Sequence, residues 1–233
     1  MATVYLIPVP LADDALFTIP SGVSGVLEQC KVFFAENIRT ARRFFKKINP
    51  AIVIDNYEWI SFSNRDEQAK KLFIEKLKEG QSIGIVSEAG CPGVADPGQE
   101  LVAIAHQKGA VVKPLVGPSS ILLALMASGL NGQQFSFHGY LPIEANERAK
   151  KIKELEVQSK RTGATQLFIE TPYRNNQLLE AILQNTQPSS YLCIAGDLTS
   201  SAEFIATKKI SDWKKEKPDL HKRPVIFCLA VAG

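Results

Sequence analysis

Ser82-Ile-Gly-Ile-Val-Ser-Glu-Ala-Gly-Cys-Pro-Gly-Val-Ala-Asp-Pro-Gly98 is the stretch on which the fold turns. Ser82–Ser87 reads as a buried strand, and Gln99–Gln107 as a helix that Gly109 ends. A loop rich in glycine and proline between strand and helix is where open parallel sheets bind ligands. Gly90, Gly93 and Gly98 permit close backbone approach, while Pro92 and Pro97 stiffen the chain. Asp96 as N-cap, Pro97 at N1 and Gln99 at N3 make a helix start, so the end of the loop has a local explanation. Gly90-Cys-Pro-Gly93 has none, and reads as a wall shaped around a ligand.

Working outward, β-branched runs alternate with helical stretches on both sides of this segment. Thr3–Ile7 is a strand stopped by Pro8 and Pro10, and Lys31–Ala35 is a second. Asn37–Lys47 is a helix closed by Asn49-Pro50, and Ala51–Asp55 reads as the third strand. Arg65–Lys78 carries Ala69, Leu72, Phe73 and Leu77 at helical spacing, and Ala110–Leu115 is another strand. Such alternation predicts right-handed βαβ crossovers and a mainly parallel sheet over residues 1–117. Beyond Gly117-Pro118 the texture changes. Helices over Ser119–Ser128, Glu144–Arg161 and Pro172–Gln184 are interspersed with strands at Phe135–Gly139, Gln166–Glu170, Tyr191–Ala195, Glu203–Thr207 and Arg223–Ala230. A short Lys-rich helix precedes the last strand. Residues 118–233 are therefore expected to form a second, α+β domain with more antiparallel pairing, and the chain as a whole an α/β protein of two domains.

Composition narrows the function classes. In 233 residues, 27 Lys+Arg against 24 Asp+Glu leave a net charge of +3, with 45% apolar and 22% charged residues. That balance excludes disorder, collagen and coiled coil. The apolar run Ile121–Ala127 is far short of the ~20 residues that cross a bilayer, and MATVYLIPVP has no basic n-region, so neither membrane span nor secretory signal is expected. Cys30, Cys91, Cys193 and Cys228 form no CxxC pair and only three His are present, so no metal site is expected and the thiols read as reduced and cytoplasmic. No GxGxxG, GxxxxGK[ST] or GxSxG occurs, which removes the main support for nicotinamide, P-loop and serine-hydrolase readings.

Other segments carry chemistry. Val116-Gly-Pro-Ser-Ser120 repeats the loop logic after the next strand, and its hydroxyls can cap a helix or hold polar ligand atoms. Arg39, Arg42, Arg43, Lys46 and Lys47 share one helical face opposite Ala41, Phe44 and Ile48, expected to point away from the Gly/Pro loops; the stripe suits RNA phosphates or is a solvated face. Lys208, Lys209, Lys214, Lys215, Lys217, Lys222 and Arg223 make a second basic region. Glu144–Arg161 mixes signs as a solvated helix does. Glu170 and Arg174 either pair with each other or face a cleft.

Taken in order, these segments resemble the tetrapyrrole-methylase superfamily of S-adenosylmethionine-dependent methyltransferases, and within it the bacterial small-subunit ribosomal RNA cytidine 2′-O-methyltransferase group. The resemblance runs through Leu6-Ile-Pro-Val-Pro10, Ala35-Glu-Asn-Ile-Arg39, Ser87–Gly98, Pro114-Leu-Val-Gly-Pro-Ser119, Ala127-Ser-Gly-Leu130, Phe137-His-Gly-Tyr-Leu-Pro142 and Ile169-Glu-Thr-Pro-Tyr-Arg174. It implies a homodimer of two-domain subunits with S-adenosylmethionine in the cleft between the domains. By position, Pro10, Gly90, Cys91, Val94, Ser119, Ser120, Ile169 and Gly196 would contact the cofactor. Glu36, Arg39 and Glu88 are the catalytic candidates, and Arg42, Arg43, Lys46 and Arg174 the substrate-side ones. Departures from the group's pattern are Glu36-Asn-Ile-Arg39 for Glu-Asp-Thr-Arg, Glu88-Ala-Gly-Cys-Pro-Gly93 for Asp-Ala-Gly-Thr-Pro-Gly, Ala12-Asp13 for Gly-Asn, Pro172-Tyr-Arg174 for Pro-His-Arg, and the loss of Tyr-His-Glu around Ile60–Arg65. The expected function is methylation of a ribose hydroxyl of ribosomal RNA or of the small ribosomal subunit. A small acceptor such as a tetrapyrrole, and a catalytically silent RNA-binding relative, are the competing readings.

Overall fold

The computed structural model describes residues Ala2–Val231. The chain separates into two compact units, Met1–Ser119 and Ser120–Gly233. In the first, strands β1 (Thr3–Ile7), β2 (Val32–Ala35), β3 (Glu58–Ser61), β4 (Ile83–Val86) and β5 (Val111–Pro114) form one sheet in the order β3-β2-β4-β1-β5. Every neighbouring pair in it is parallel. Helices α1 (Gly22–Leu27), α2 (Ile38–Ile48), α3 (Glu67–Lys78) and α4 (Gly98–Gln107) cover both faces.

The strand period of two divides the side chains between two cores. Val4, Val32, Phe34, Ile83 and Ile85 meet Phe73 of α3 and Leu101 of α4. Their chain neighbours Tyr5, Ile7, Phe33, Ala35 and Val86 meet Leu27 of α1 and Phe44 and Phe45 of α2. Burial on both sides explains why β2 and β4 read as unbroken apolar runs. The helices start where side-chain oxygens accept orphan N–H groups: Asn37 Oδ1 from Thr40 N at 3.2 Å, and Asp66 Oδ1 from Ala69 N at 2.9 Å.

The expected third strand, Ala51–Asp55, is not one. Asn49 closes a turn by accepting the Ala51 N–H, and Ile54–Asn56 forms a 3₁₀ turn. The strand lies later, at Glu58–Ser61, paired with β2 from Val32↔Glu58 to Ala35↔Ser61. Its polar ends hid it. Trp59 announces it in three dimensions by stacking on Phe33 with ring centroids 5.1 Å apart. The sequence reading also missed α1, whose Gly22, Ser24 and Gly25 are poor helix formers held by tertiary packing of Val23 and Leu27.

In the second unit, β6 (Phe135–Tyr140), β7 (Thr165–Ile169), β8 (Tyr191–Gly196), β9 (Phe204–Lys209) and β10 (Val225–Ala230) form a sheet in the order β6-β7-β10-β8-β9. Among the described strands of this second sheet, only β6 and β7 pair in parallel. Helices α5 (Ser120–Ser128), α6 (Ala145–Thr162), α7 (Asn175–Asn185) and α8 (Ile210–Trp213) complete it, around a core that includes Ile152, Phe168, Ile182, Ile194, Trp213 and Phe227. α6 ends on Gly163 at φ +70°, a left-handed cap. α7 begins three residues after Pro172 rather than at it. Arg174 N–H closes a turn onto Thr171 O at 2.9 Å, and the helix starts only behind that turn. The short helix near the lysines is Ile210–Trp213, so Lys214, Lys215 and Lys217 follow it rather than build it.

One close approach in the first unit makes a prediction. A Cβ on Gly117 would lie 2.1 Å from Pro8 Cβ and 2.5 Å from its Cγ, and a proline ring cannot turn aside. Gly117→Ala should therefore destabilise the protein by about 1–3 kcal/mol, as overpacking does. Gly25→Ala, with nothing within 4 Å inside α1, should leave stability unchanged or raise it by up to about 1 kcal/mol. Urea unfolding of the two variants beside the wild type checks both signs.

Candidate active site

β2 and β4 are neighbours, yet the chain leaves β2 toward β3 at one edge and leaves β4 toward β5 at the other. Loops that part in this way open a crevice at the carboxyl ends of the strands, the general ligand site of open α/β sheets. Two reciprocal backbone bonds frame it: Val9 N–H donates to Gly90 O at 2.9 Å, and Gly90 N–H to Val9 O at 3.1 Å. Gly90 holds φ +75° to do this, a conformation most side chains resist. The Cys91 thiol points at the carbonyls of Pro118 and Gly117, 3.3 and 3.6 Å away. The Pro8–Pro10, Ser87–Gly98 and Val116–Ser119 segments are thus tied into one rim.

Three carboxylates gather there. Glu36 follows β2, and its Oε2 accepts the Glu88 N–H at 2.9 Å across the crevice. Burial pushes the Glu36 pKa up, the Glu88 N–H pulls the other way, and the charges of Asp96 and Glu88 add to the rise. Asp96 Oδ1 accepts from Gly98 N at 2.7 Å and Gly93 N at 2.8 Å. It therefore closes the loop on itself as well as serving the start of α4. The Asp96-to-Gln99 capping box does not form: Pro97 occupies the N-cap position, with no side-chain cap bond. Asp96 Oδ2 is buried without a partner, and burial raises the Asp96 pKa against the opposing pull of the two N–H groups.

Beside Glu88 lies a cavity of about 230 Å³, walled by Pro10, Leu16 and Phe44 and rimmed by Arg43, Lys47 and Glu88. The cationic stripe of α2 does not point away from the Gly/Pro loops as a unit. Arg43 and Lys47, four residues apart, share the cavity with Glu88 and Ala89. Arg42, on the other flank, lies over the Trp59 ring at 5.4 Å, and Lys46 Nζ donates to Pro50 O at 3.2 Å. The sequence reading missed Thr40 and Leu16, which also line the cavity; spacing of three from Thr40 to Arg43 was the available signal. Arg39, in the first turn of α2, is exposed.

A second cavity, about 380 Å³, lies along Cys91, Gly93 and Val94 with Leu6, Val102 and Leu115 as apolar walls. A Cβ on Gly93, at φ +85°, would meet nothing within 4 Å, so the backbone borders open space. Apolar walls beside a bare stretch of backbone fit an adenosyl group. Of the expected cofactor residues, Cys91 and Val94 line this cavity, Pro10 lines the first, and Gly90 is tied to Val9 at the head of the same loop. Ser119 ends the first unit and Ser120 opens α5 in the second. Ile169 and Gly196 end β7 and β8. Arg174 pairs with Glu170 at 2.7 Å, where the Glu170 side chain is 1% exposed, so that pair is closed on itself.

The Asp96 carboxyl makes a prediction with a definite sign. A carboxyl whose folded-state pKa is raised contributes stability below its unfolded value and loses it as pH rises through the folded one. Asp96→Asn keeps an acceptor oxygen and removes the charge. The stability difference should move in favour of the variant as pH climbs from below 3.8, the ordinary Asp value, to 7. Urea midpoints of both proteins at pH 3.5 and pH 7 measure it; a constant difference would contradict the burial argument.

No family model matches the chain. It is similar to ribosomal RNA small subunit methyltransferase I of Vibrio cholerae, 32% identical over 226 residues, covering 96% of this chain and 75% of the relative. The protein of the same name from Halalkalibacterium halodurans is 30% identical over 99% of this chain and 76% of its own length. That of Bacillus subtilis is 30% identical over 100% and 76%. Among solved structures, the methyltransferase CobJ has a TM-score of 0.64 at 17% identity, covering 99% of this chain and 94% of its own. Uroporphyrin III C-methyltransferase of Thermus thermophilus has a TM-score of 0.58 at 15% identity, covering 98% and 97%. At those identities the solved structures establish the fold: an α/β architecture with one parallel sheet and a second, mixed sheet. The curated relatives establish more, and this S-adenosylmethionine-dependent methyltransferase belongs to the ribosomal RNA small subunit methyltransferase I family.

Proposed function

We propose that the protein methylates a ribose hydroxyl of small-subunit ribosomal RNA. The observation that carries this reading is the rim where Glu88 meets Arg43 and Lys47 at one cavity beside the loop of Gly90 and Cys91. A carboxylate for a proton and cations for a phosphodiester are what a ribose acceptor requires.

S-adenosylmethionine, when bound, supplies a methyl group already activated on a sulfonium, so the protein's work is alignment and proton removal. Cys91, Gly93 and Val94 would hold the donor along the apolar groove, with Pro10, Gly90, Ser119, Ser120, Ile169 and Gly196 as further contacts on resemblance. Glu88 accepts the hydroxyl proton. Glu36 positions it through the Glu88 N–H, and Arg39 contributes positive charge at the start of α2. Arg42, Lys46 and Arg174, the other substrate-side candidates, are engaged elsewhere: Arg42 over Trp59, Lys46 on Pro50 O and Arg174 with Glu170.

The reading also places the protein in the cytoplasm with the ribosome, and as a homodimer. No helix among the described residues is long and apolar enough to cross a membrane. The exposed Leu122 and Met126 of α5, 51% and 78% accessible, are apolar surface of the kind that subunits cover.

Glu88→Gln should lower kcat for methyl transfer to small ribosomal subunits by about 10²- to 10⁴-fold, the usual worth of a general base, and leave donor affinity unchanged. Tritiated donor and calorimetry measure the two; full activity in the variant would remove Glu88 from the reaction. Donor binding by the wild type with no transfer to subunits, free RNA or extract would instead indicate a silent relative. Sedimentation equilibrium at micromolar concentration should return the mass of two chains, and a monomer would remove the dimer.

A further inference from the structure

We infer that the cavity between residues 9–16 and α2 is a subsite for one nucleotide of the acceptor strand, a neighbour of the one methylated, with its phosphate on Arg43 and Lys47. The inference rests on the ribosomal RNA reading above and assigns a place within it. At about 230 Å³ the cavity takes one base or ribose, with the phosphate left at the Arg43 and Lys47 rim, and does not take a helix. Its walls, Val9, Pro10, Leu11, Leu16 and Phe44, are apolar and suit the face of a base or the carbon edge of a ribose.

The polar groups are distributed by sign. Thr40, Arg43 and Lys47 are at spacings of three and four on one flank of α2, so a hydroxyl and two cations line one side. Among the described residues Arg43 has no ion pair. Lys47 is held by Asp13, Nζ donating to Asp13 O at 3.0 Å and to Oδ1 at 3.3 Å. That pair is open to solvent, with side chains 39% and 89% exposed, so it is weak and a phosphodiester can displace the Asp13 carboxylate. Glu88, also on the lining, repels a phosphate and leaves the α2 side as the place for it. The strand is thereby given a direction: phosphate toward Arg43 and Lys47, the adjoining ribose toward Glu88. Arg42 belongs to a different surface, because its guanidinium lies over Trp59.

Fluorescence anisotropy of a labelled single-stranded RNA oligonucleotide, titrated at several salt concentrations, tests the subsite. The Arg43→Gln/Lys47→Gln double variant should flatten the plot of log affinity against log salt by about one unit, the loss of one phosphate contact. Asp13→Asn, which frees Lys47, should tighten binding roughly twofold to fivefold. Lys71→Gln, at an exposed position on α3 at the other face of the sheet, should leave the line unmoved. Lines of equal slope for the double variant and the wild type would overturn the subsite, as would an equal loss in Lys71→Gln. Circular dichroism establishes that each variant is folded. Methyl transfer to small subunits is measured in parallel. Turnover by the wild type with parallel salt lines defeats the subsite and leaves the function standing. No turnover with a flattened line in the double variant defeats the function and overturns the assignment to a neighbour of a methylated nucleotide, leaving only an RNA phosphate contact at Arg43 and Lys47.

Discussion

The two backbone hydrogen bonds that Val9 and Gly90 exchange are the joint on which the rest of the first unit's site is built. β1 and β4 are parallel neighbours whose chains would otherwise diverge after Ile7 and Val86. The joint extends their pairing past the sheet as a single antiparallel bridge. It needs a residue at φ +75°, and a Cβ there would also sit 3.3 Å from Leu11 and 3.4 Å from Pro118 O. Glycine satisfies both demands. With Gly90 pinned, Cys91 reaches the carbonyls of Gly117 and Pro118, and Gly93 faces open space.

The sheet beneath this rim distributes labour between its faces. One face is sealed by α3 and α4, and the exposed side of those helices carries ordinary ion pairs such as Lys70 with Glu67 and Glu100. The other face carries α2, whose buried Phe44 and Phe45 anchor it while Arg43 and Lys47 reach the carboxyl ends of the strands. Position along α2 therefore decides what each cation does. Anionic and cationic groups meet at Glu88, and the half-buried Glu36 and Asp96 behind it keep raised pKa values because burial outweighs the N–H groups they accept from.

Much of this was legible in the order of residues. β1 is a run of alternately facing apolar side chains bounded by Pro8, and α3 shows its helical period, although it starts at Glu67 behind the Asp66 cap rather than at Arg65. The Ser87–Gly98 loop was readable as a ligand wall because nothing local accounts for Gly90-Cys-Pro-Gly93. β3 was not legible: Ala51–Asp55 is the more apolar segment, but its Ile52 fills the core from a loop. A strand of Glu58, Trp59, Ile60 and Ser61 acquires its status only by pairing with β2. The short α1 was hidden for a related reason, since its glycines argue against a helix that burial nevertheless enforces.

Sequence by itself determined the architecture and the chemical inventory: alternating periods of two and 3.6, loops broken by Gly and Pro, carboxylates at Glu36 and Glu88, and cations spaced along α2. Those are local properties, set by backbone sterics and side-chain periodicity. Tertiary structure alone decided the pairings. Arg42 went to Trp59 and Arg43 to the cavity, because neighbouring positions on a helix point about 100° apart and meet different strands and loops. Asp96 became the clasp of its own loop because Gly93 and Gly98 turn their N–H groups toward one oxygen. Glu36 met Glu88, 52 residues on, because β2 and β4 lie side by side in the sheet. Long-range contacts of that kind follow from strand order, which no stretch of chain encodes alone.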